Sequence, residues 1–143
     1  MEQPQYSIST DKSRLDLDFI HGFLAACYWA EGIPREVVQR SIDNALCFGV
    51  FHGNQQVGFA RVITDYATYA YIGDVFIVES HRGRGLATRM MKAIMEHADL
   101  QGLRRWSLVT DDAHGLYRQF GFTPLANPQK YMELRDPDVY KRR

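Results

Sequence analysis

The sequence predicts a mixed α/β domain, with one mostly antiparallel β-sheet and helices on both of its faces. The chain has 143 residues, which suits a single domain over residues 1–143, because domains usually contain roughly 100–200 residues. Apolar residues make up 45% and charged residues 24% of the chain, as in ordinary globular proteins. Segments with strand and helix periodicity follow one another in the order β-α-α-β-β-β-α-β-α-β-β.

The first third of the chain is predicted to contain an edge strand and two helices. Alternating residue types over Gln5–Ser9 predict the strand. A first helix is expected from about Arg14 to Cys27, because apolar residues recur there at helical spacing. Pro34 suits the first turn of a second helix, which is expected to run from Arg35 to about Ala45.

Three consecutive strands are predicted in the middle of the chain, at Leu46–Phe51, Gln56–Thr64 and Thr68–Val78. The turn His52–Asn54 separates the first two strands, and Asp65–Ala67 separates the second from the third. Connections this short join antiparallel neighbours, because a parallel pair needs a crossover of a dozen or more residues. This part of the chain is therefore expected to form an antiparallel meander.

The second half of the chain is predicted to add two helices and three strands to this meander. A glycine-rich turn at Ser80–Gly85 precedes a helix that is expected to end near Leu100. A strand is expected at Trp106–Val109, and Asp111 or Asp112 would cap a short helix after it. The sheet is then expected to close with two final strands, Phe122–Leu125 and Tyr131–Leu134.

Charge, cysteine content and hydropathy exclude several classes of protein. The 17 Lys and Arg residues balance the 17 Asp and Glu residues, which argues against a nucleic-acid partner, because phosphate neutralisation dominates such binding. Cys27 and Cys47 form no CxxC pair and no His cluster has zinc spacing, so no metal is expected. The start of the chain lacks a signal-peptide pattern, and the longest apolar run, Phe19–Ala30, is shorter than the ~20 residues of a membrane span. A soluble, cytoplasmic protein without a membrane partner is expected.

The densest signal for a ligand site is the segment from Val78 to Thr88, between a predicted strand and a predicted helix. Gly83 and Gly85 let a ligand approach the backbone, and the amides at the start of the helix favour anions. An ordinary tight turn before a helix is the alternative. A P-loop is disfavoured because no Lys-Ser or Lys-Thr follows the glycines, and a Rossmann fingerprint because the loop follows an antiparallel meander.

This loop and a second segment together resemble the GNAT family of N-acetyltransferases. The acetyl-CoA loop of that family has the pattern Q/R-x-x-G-x-G/A, and residues 82–87 read R-x-x-G-x-A. Downstream, Ala113 and the segment Leu116–Phe122 resemble the family's A-x-x-L-Y-x-x-x-G-F helix. The resemblance covers about residues 55–125. It implies a GNAT-like fold with a V-shaped splay between the fourth and fifth strands.

The resemblance implies that acetyl-CoA binds in this splay as a co-substrate. By that analogy the pantetheine pairs with the backbone of residues 76–78, and the pyrophosphate lies on N–H groups of residues 84–89. The chain departs from the family at Thr110, where other members often have Asn, so the contacts of that Asn are not carried over. The residues implied to bind the cofactor are Phe76, Ile77, Val78, Arg82, Gly83, Arg84, Gly85, Leu86, Ala87, Thr88 and Arg89.

Acetyl transfer to an amine needs a base and an acid. An alkylammonium has a pKa of about 10.4, so its proton must be removed, and the leaving thiolate must be protonated or stabilised. The resemblance puts Tyr117 in the family's general-acid position; a core tyrosine with a satisfied hydroxyl is the alternative. The resemblance also points to Asp74 as the candidate base, because several family members have their base four or six residues before the position of Val78, and Ile72, at six, cannot act. Asp74 lies on the same strand face as Val78; a structural hydrogen bond is its alternative. His114 is a second candidate base.

The acceptor is expected to be a small-molecule or peptide amine. In the family its pocket comes from the loop between the first two helices and the turn between the third and fourth strands. Those segments supply Tyr28, Trp29, Glu31, Asp65 and Tyr66, and aromatic walls with nearby carboxylates would suit a cationic amine. Packing aromatics and surface carboxylates are the alternative. The resemblance thus implies an acetyl-CoA-dependent N-acetyltransferase, with a non-catalytic CoA-binding sensor as the alternative, and it is compatible with a homodimer.

Overall fold

The computed structural model describes residues 5–142, which contain five strands and four α-helices. The strands are β1 (Tyr6–Ser9), β2 (Leu46–His52), β3 (Gln55–Thr64), β4 (Tyr69–Ile77) and β5 (Arg105–Leu108). The helices are α1 (Leu17–Ala26), α2 (Arg35–Asp43), α3 (Leu86–Glu96) and α4 (His114–Arg118). Short 3-10 turns lie between several of these elements.

The five strands form one sheet in the order β1-β2-β3-β4-β5. All neighbours are antiparallel except β4 and β5, which are parallel and are joined through α3. The parallel pairing runs from Tyr69 opposite Arg105 to Ile72 opposite Leu108 and then stops. Because β4 continues to Ile77 without β5 beside it, the two strands part there. The mixed, mostly antiparallel sheet and the splay between its fourth and fifth strands are confirmed.

Helices cover both faces of the sheet, as the sequence predicts. On one face, α1 and α2 bury a cluster that includes Ile20, Leu24 and Phe76. On the other face, α3 buries Met90 and Ile94 against the sheet. Each of these five side chains is 5% exposed or less, and burying a side chain of this kind contributes about 1.5–3 kcal/mol. The sheet is therefore covered by a buried apolar cluster on each of its faces.

The first helix begins later than its apolar pattern predicts. Asp11 caps a 3-10 turn at Lys12–Arg14, and α1 starts at Leu17 rather than Arg14. Asp16 is the actual N-cap, because its carboxylate accepts a hydrogen bond from the Phe19 N–H at 3.0 Å. Asp11 therefore starts the 3-10 turn, and Asp16 starts α1.

The two final strands predicted at 122–125 and 131–134 are absent from the structure. Residues 128–130 form a 3-10 turn that starts at Pro128, and Pro124 interrupts the first predicted strand. Proline has no N–H to donate to a sheet, so it is disfavoured inside a strand. The helix predicted to reach Leu100 likewise stops at Glu96, and residues 98–100 form a 3-10 turn. In the described sheet, β5 is consequently the last strand on its side.

Both cysteines carry free thiols with raised pKa values. Burial raises the pKa of the Cys47 thiol to about 11, and burial also raises the pKa of Cys27. At neutral pH these thiols are poor nucleophiles, because the thiolate is the reactive form. Separately, no helix within residues 5–142 combines the length and the apolar character needed to cross a bilayer.

Candidate active site

A cavity of about 1140 Å³ opens where β4 and β5 part. Its wall is built from four parts of the chain: the end of β4, the glycine loop with the start of α3, the connection between α1 and α2, and the segment from β5 into α4. This volume slightly exceeds the range of about 300–1,000 Å³ that is usual for small-molecule sites. The splay therefore provides room for a ligand of cofactor size beside a second, smaller molecule.

An irregularity in β4 shapes one wall of this cavity. Phe76 pairs with Phe59 and Gly73 pairs with Arg61, so two residues of β4 oppose one residue of β3 between them. Asp74, inside this bulge, has φ of 54°, which is uncommon for a residue other than glycine. The bulge re-aims β4 at the point where it leaves β5, and Asp74 comes to line the cavity.

The glycine loop has the open backbone that an anion cradle requires. Gly83 and Gly85 have φ of 78° and 72°, in the left-handed region that favours glycine. A Cβ at Gly85 would meet no heavy atom within 4 Å. Gly85 is the N-cap of α3, so the first amides of that helix have no partner inside the helix. These N–H groups and the positive end of the helix dipole favour a phosphate at this place.

Most of the predicted cofactor residues lie on the cavity wall, and three do not. Those on the wall are Phe76, Ile77, Arg82, Gly83, Gly85, Leu86, Ala87 and Thr88. Val78, Arg84 and Arg89 are not among the lining residues. The Val78 N–H donates to the Val57 carbonyl at 2.9 Å, and the Arg82 Nε donates to the Ile77 carbonyl at 2.8 Å. Arg82 thus braces the turn from β4 into the loop.

The glycine loop is tied to the first strand of the sheet. The Tyr6 hydroxyl and the Nδ1 atom of His81 share a hydrogen bond of 2.7 Å. Arg89, on α3, donates from Nη2 to the Tyr6 carbonyl at 3.2 Å. The ring of His52, at the end of β2, stacks on Tyr6 with 4.6 Å between the ring centroids. Arg89 therefore fixes the helix start to β1 and does not line the cavity.

Tyr117, in α4, lines the same cavity as the start of α3 and belongs to the same buried cluster as Leu86 and Met90. Its side chain and backbone together are only 7% exposed, and its ring packs edge-on against Phe122. Among residues 5–142 its hydroxyl makes no hydrogen bond. Burial raises the pKa of Tyr117, and the nearby negative charge of Asp112 raises it further. The phenol is consequently protonated at neutral pH and has a proton to donate.

Asp74 is held by two partners that the sequence did not reveal. Its Oδ1 accepts a hydrogen bond from the Trp29 indole N–H at 3.0 Å, and its Oδ2 accepts one from the Arg61 Nε at 2.9 Å. The side chains of Arg61 and Asp74 are 19% and 13% exposed, so this ion pair is largely shielded from water. Each carboxylate oxygen keeps a second lone pair for a further donor. The hydrogen bond from Trp29 holds its indole ring beside Asp74 on the cavity wall.

The predicted acceptor residues divide into two groups. Tyr28 and Trp29 line the cavity, and a hydrogen bond to Asp111 raises the pKa of Tyr28. Glu31, Asp65 and Tyr66 do not line it. Asp65 instead caps its own turn, where its carboxylate accepts a hydrogen bond from the Thr68 N–H at 2.7 Å. Hydrogen bonds from the Thr68 hydroxyl and from backbone N–H groups of the turn hold the pKa of Asp65 well below its usual range. The turn between β3 and β4 is at the end of β4 that pairs with β5, away from the splay.

The cavity wall also contains polar residues that the sequence did not indicate as site residues. Glu133 and Arg135 also line the cavity. They lie in an irregular segment well beyond the end of α4. Thr110 also lines it, and its hydroxyl accepts the Ala113 N–H at 3.0 Å, so Thr110 rather than Asp111 or Asp112 holds the start of α4. The other candidate base, His114, is absent from the wall. Polar residues in an irregular segment carry no periodicity, so no pattern pointed to Glu133 or Arg135.

Comparisons with known proteins match the sequence and fold of this chain to those of acetyltransferases. A structure from Xanthomonas campestris pv. campestris, belonging to the GNAT family, has 54% sequence identity and a TM-score of 0.93, covering 97% of this chain and 99% of that one. A curated Gibberella zeae protein, "Putative acetyltransferase FG08082", is 30% identical over 78% of this chain and 75% of its own length. A Clostridium acetobutylicum structure with acetyl-CoA shares the fold at 17% identity and a TM-score of 0.65, covering 92% of this chain and 95% of that one.

The fold and these relatives thus define the chain as an acetyltransferase. The family model described as "Acetyltransferase (GNAT) family" matches residues 16–122. The chain belongs to this family, and the resemblance found in the glycine loop and the α4 segment is confirmed.

Proposed function

We propose that this protein is an acetyl-CoA-dependent N-acetyltransferase that acts on a primary amine of a small molecule or peptide. The observation that carries this proposal is the Tyr117 hydroxyl, which lines the cavity and has no hydrogen-bond partner among residues 5–142. Every fully enclosed side-chain nitrogen or oxygen in residues 5–142 has a partner, so the Tyr117 oxygen is not enclosed and a molecule in the cavity can reach it. A protonated phenol on the wall of a cavity that also contains the anion-binding loop supports a role for Tyr117 as an acid during turnover.

The reaction is a direct transfer. The neutral amine nitrogen attacks the thioester carbonyl, a C–N bond forms, and the C–S bond breaks with its electron pair on sulfur. In this proposal Tyr117 gives its proton to that sulfur, and the proton lost by the amine passes to a base or to water. Acetyl-CoA supplies the activated acyl group when bound. The amides at the start of α3 and the residues Arg82 to Thr88 would hold its phosphates.

The aromatic side of the cavity supports an amine acceptor. Tyr28 and Trp29 meet edge to face with 5.2 Å between ring centroids, and both line the cavity. Exposed aromatic faces attract ammonium groups and the apolar parts of amphipathic molecules. Asp111 and Asp112 also line this wall, and their negative charge would attract a cationic acceptor into the cleft.

The test of this function is release of CoA thiol from acetyl-CoA in the presence of a panel of primary amines and amine-terminated peptides. We expect acetyl-CoA to raise the melting temperature and at least one amine class to release thiol well above hydrolysis. Because burial raises the pKa of both cysteines, a thiol reagent should give a low background from the folded protein. A melting shift without thiol release from any amine would instead support the sensor module.

Asp74 remains the proposed base, and Asp74→Asn tests it. The amide keeps an oxygen for the Trp29 indole but can neither accept a proton nor pair with the charge of Arg61. We expect acetyl-CoA binding to persist and turnover to fall, most strongly at low pH, where the amine cannot shed its own proton. The measurement is the rate against pH together with acetyl-CoA affinity.

Trp29→Phe is the matched control for this experiment, because it removes the other hydrogen bond to Asp74 and leaves the carboxylate and Arg61 in place. If Asp74 is the base, Trp29→Phe should keep the acidic limb of the rate profile that Asp74→Asn loses. The same profile in both variants would show that Asp74 only positions Trp29, and the base would then be water or another group.

A further inference from the structure

The cavity wall beside Asp74 has hydrogen-bond donors that the proposed reaction does not use. Arg61 on β3 and Tyr71 on β4 both line the cavity. Within residues 5–142 the Arg61 side chain donates only from Nε, to the Asp74 carboxylate at 2.9 Å, so its Nη1 and Nη2 groups make no hydrogen bond. The Tyr71 hydroxyl makes none with this part of the chain either. Fully enclosed side-chain polar atoms in the same range all have partners, so these donors are open to a ligand.

The missing side chain of Gly73 brings Tyr71 and Arg61 together. A Cβ at Gly73 would lie 3.2 Å from Cε1 of Tyr71 and 3.8 Å from its Cδ1, so the Tyr71 ring lies along β4 over this glycine. The same Cβ would lie 3.9 Å from Nη2 of Arg61. Burial raises the pKa of Tyr71, and the negative charge of Asp74 raises it further. A protonated phenol and a guanidinium therefore meet at Gly73, next to Asp74.

Donors of this kind bind oxygen atoms. Guanidinium N–H groups pair with carboxylates, and a phenol hydroxyl can donate to the same group. A simple alkylamine has no oxygen to offer and would leave these donors unpaired where it displaces water, which costs free energy. The Arg61 and Tyr71 donors therefore favour an acceptor that has an oxygen close to its amine.

The Arg61–Asp74 ion pair favours a charged oxygen. In the proposed reaction the proton lost by the amine goes to Asp74, while the C–N bond forms and the C–S bond breaks. Asp74 then becomes neutral, and the charge of Arg61 loses its counter-charge. A largely shielded charge without a counter-charge is unfavourable. A carboxylate of the acceptor beside Arg61 would balance this charge and take no part in the bond changes.

We propose that the acceptor is an α-amino acid whose carboxylate is bound by Arg61 and Tyr71. In such a molecule one carbon atom separates the amine from the carboxylate, so an amine held at Asp74 places the carboxylate near the Arg61 guanidinium. Arg61 and Tyr71 are then specificity residues of the acceptor site. This inference rests on the proposed function and narrows its acceptor class.

Matched acceptors test the recognition of the carboxylate. Each amino acid is compared with the amine that lacks the carboxyl group, such as phenylalanine with phenethylamine and leucine with isoamylamine, and with its own amide. The amide keeps a carbonyl oxygen but has no charge. For at least one amino acid we expect kcat/KM for thiol release to exceed that of both analogues roughly tenfold or more, because hydrogen bonds to charged groups contribute at least about this factor.

Tyr71→Phe tests the assignment to this wall, because it removes the hydroxyl and keeps the ring over Gly73. It should lower the preference for the amino acid over its matched amine roughly tenfold, mainly through KM of the amino acid. Arg61→Lys should also lower this ratio. Damage to the Asp74 base lowers the rate of both acceptors, so their ratio reports recognition alone.

Tyr69→Phe is the control for Tyr71→Phe. Tyr69 lies on the same strand, its hydroxyl is hydrogen-bonded to Ser107, and it does not line the cavity. This variant should keep the preference of the unchanged protein. Circular dichroism shows whether each variant is folded.

Calorimetric titration of the CoA complex, which has no acetyl group to transfer, separates this inference from the proposed function. An amino acid that binds this complex roughly tenfold more weakly in Tyr71→Phe than in Tyr69→Phe supports the carboxylate site even if no amine releases thiol. The inference is overturned, and the function stands, if amines or amides react as well as the amino acids. It is also overturned if the preference is unchanged in both Tyr71→Phe and Arg61→Lys, or if amino acids neither react nor bind.

Discussion

Tyr117→Phe lowers turnover by at least about 10²-fold while acetyl-CoA affinity changes little, if the phenol is the acid. General acid catalysis contributes typically 10²–10⁴-fold, or about 3–5 kcal/mol of barrier. The change deletes one oxygen and keeps the ring that packs against Phe122. The hydroxyl has no hydrogen-bond partner among residues 5–142, so its removal should hardly lower the melting temperature. The measurement is turnover and melting temperature on the same preparation.

The pH dependence gives a second sign of the same role. Because burial and Asp112 raise the pKa of Tyr117, the rate of the unchanged enzyme should fall only above the usual tyrosine value of about 10, and this limb should be missing in Tyr117→Phe. The folded state also favours the protonated phenol. The stability that this preference contributes is therefore complete below the pKa of Tyr117 in the unfolded chain. It is lost as the pH rises through the pKa of Tyr117 in the folded protein.

Tyr69→Phe is the matched control for Tyr117→Phe. The Tyr69 hydroxyl is hydrogen-bonded to Ser107 and lies outside the cavity. Its loss should lower stability by about 0.5–1.5 kcal/mol, as for an ordinary hydrogen bond, with turnover near normal. If Tyr117→Phe behaves like Tyr69→Phe, with lost stability and normal turnover, Tyr117 is a structural residue and the acid assignment fails.

Gly85→Leu should abolish the rise in melting temperature caused by acetyl-CoA. A ligand at one hundred times its dissociation constant adds about 2.7 kcal/mol of stability, or about 5–10 °C for a chain of this size. The space in front of Gly85 is open in the structure, and the proposal places the pyrophosphate there. A leucine side chain would fill that space and hold the phosphates away from the first amides of α3. Melting curves with and without acetyl-CoA measure the effect.

Gly102→Leu separates ligand exclusion from backbone strain. Gly102 has φ of 77° against 72° for Gly85, and a Cβ at either position meets no heavy atom within 4 Å. Both substitutions force a leucine into the left-handed region, at about 1–2 kcal/mol each. Gly102 is not on the cavity wall, so only Gly85→Leu should lose the shift. A folded Gly85→Leu protein that keeps the full shift would show that the loop does not hold the cofactor.

Local patterns were sufficient where a segment's neighbours are close in sequence. The boundaries of the three-strand meander over β2, β3 and β4 were predicted to within one residue, because strand-forming runs and short turns determine antiparallel pairing locally. The glycine loop was found because Gly83 and Gly85 are needed wherever the backbone must turn with positive φ. The two strands predicted after α4 are wrong, because Pro124 lies inside the first and Pro128 starts a 3-10 turn before the second.

The contacts that complete the site lie beyond such patterns. Trp29 and Arg61 meet at Asp74 across 45 and 13 residues of chain, and nothing in the spacing of these residues indicates it. Asp65 was predicted near the acceptor, but the turn that it caps lies at the paired end of β4. Which end of a strand faces a cleft depends on where two strands part, and that is a property of the assembled sheet.

The ties between β1 and the glycine loop have a consequence for the order of folding. Tyr6 meets His81 and Arg89 across 75 and 83 residues, so the loop reaches its final shape only when the two ends of a long chain segment close. The entropy of such closure is lost before the contacts repay it. On the ribosome, β1 would emerge first and wait until α3 has been made. The glycine loop consequently reaches its final shape later than the β2–β3 and β3–β4 hairpins, whose partners are neighbours in sequence.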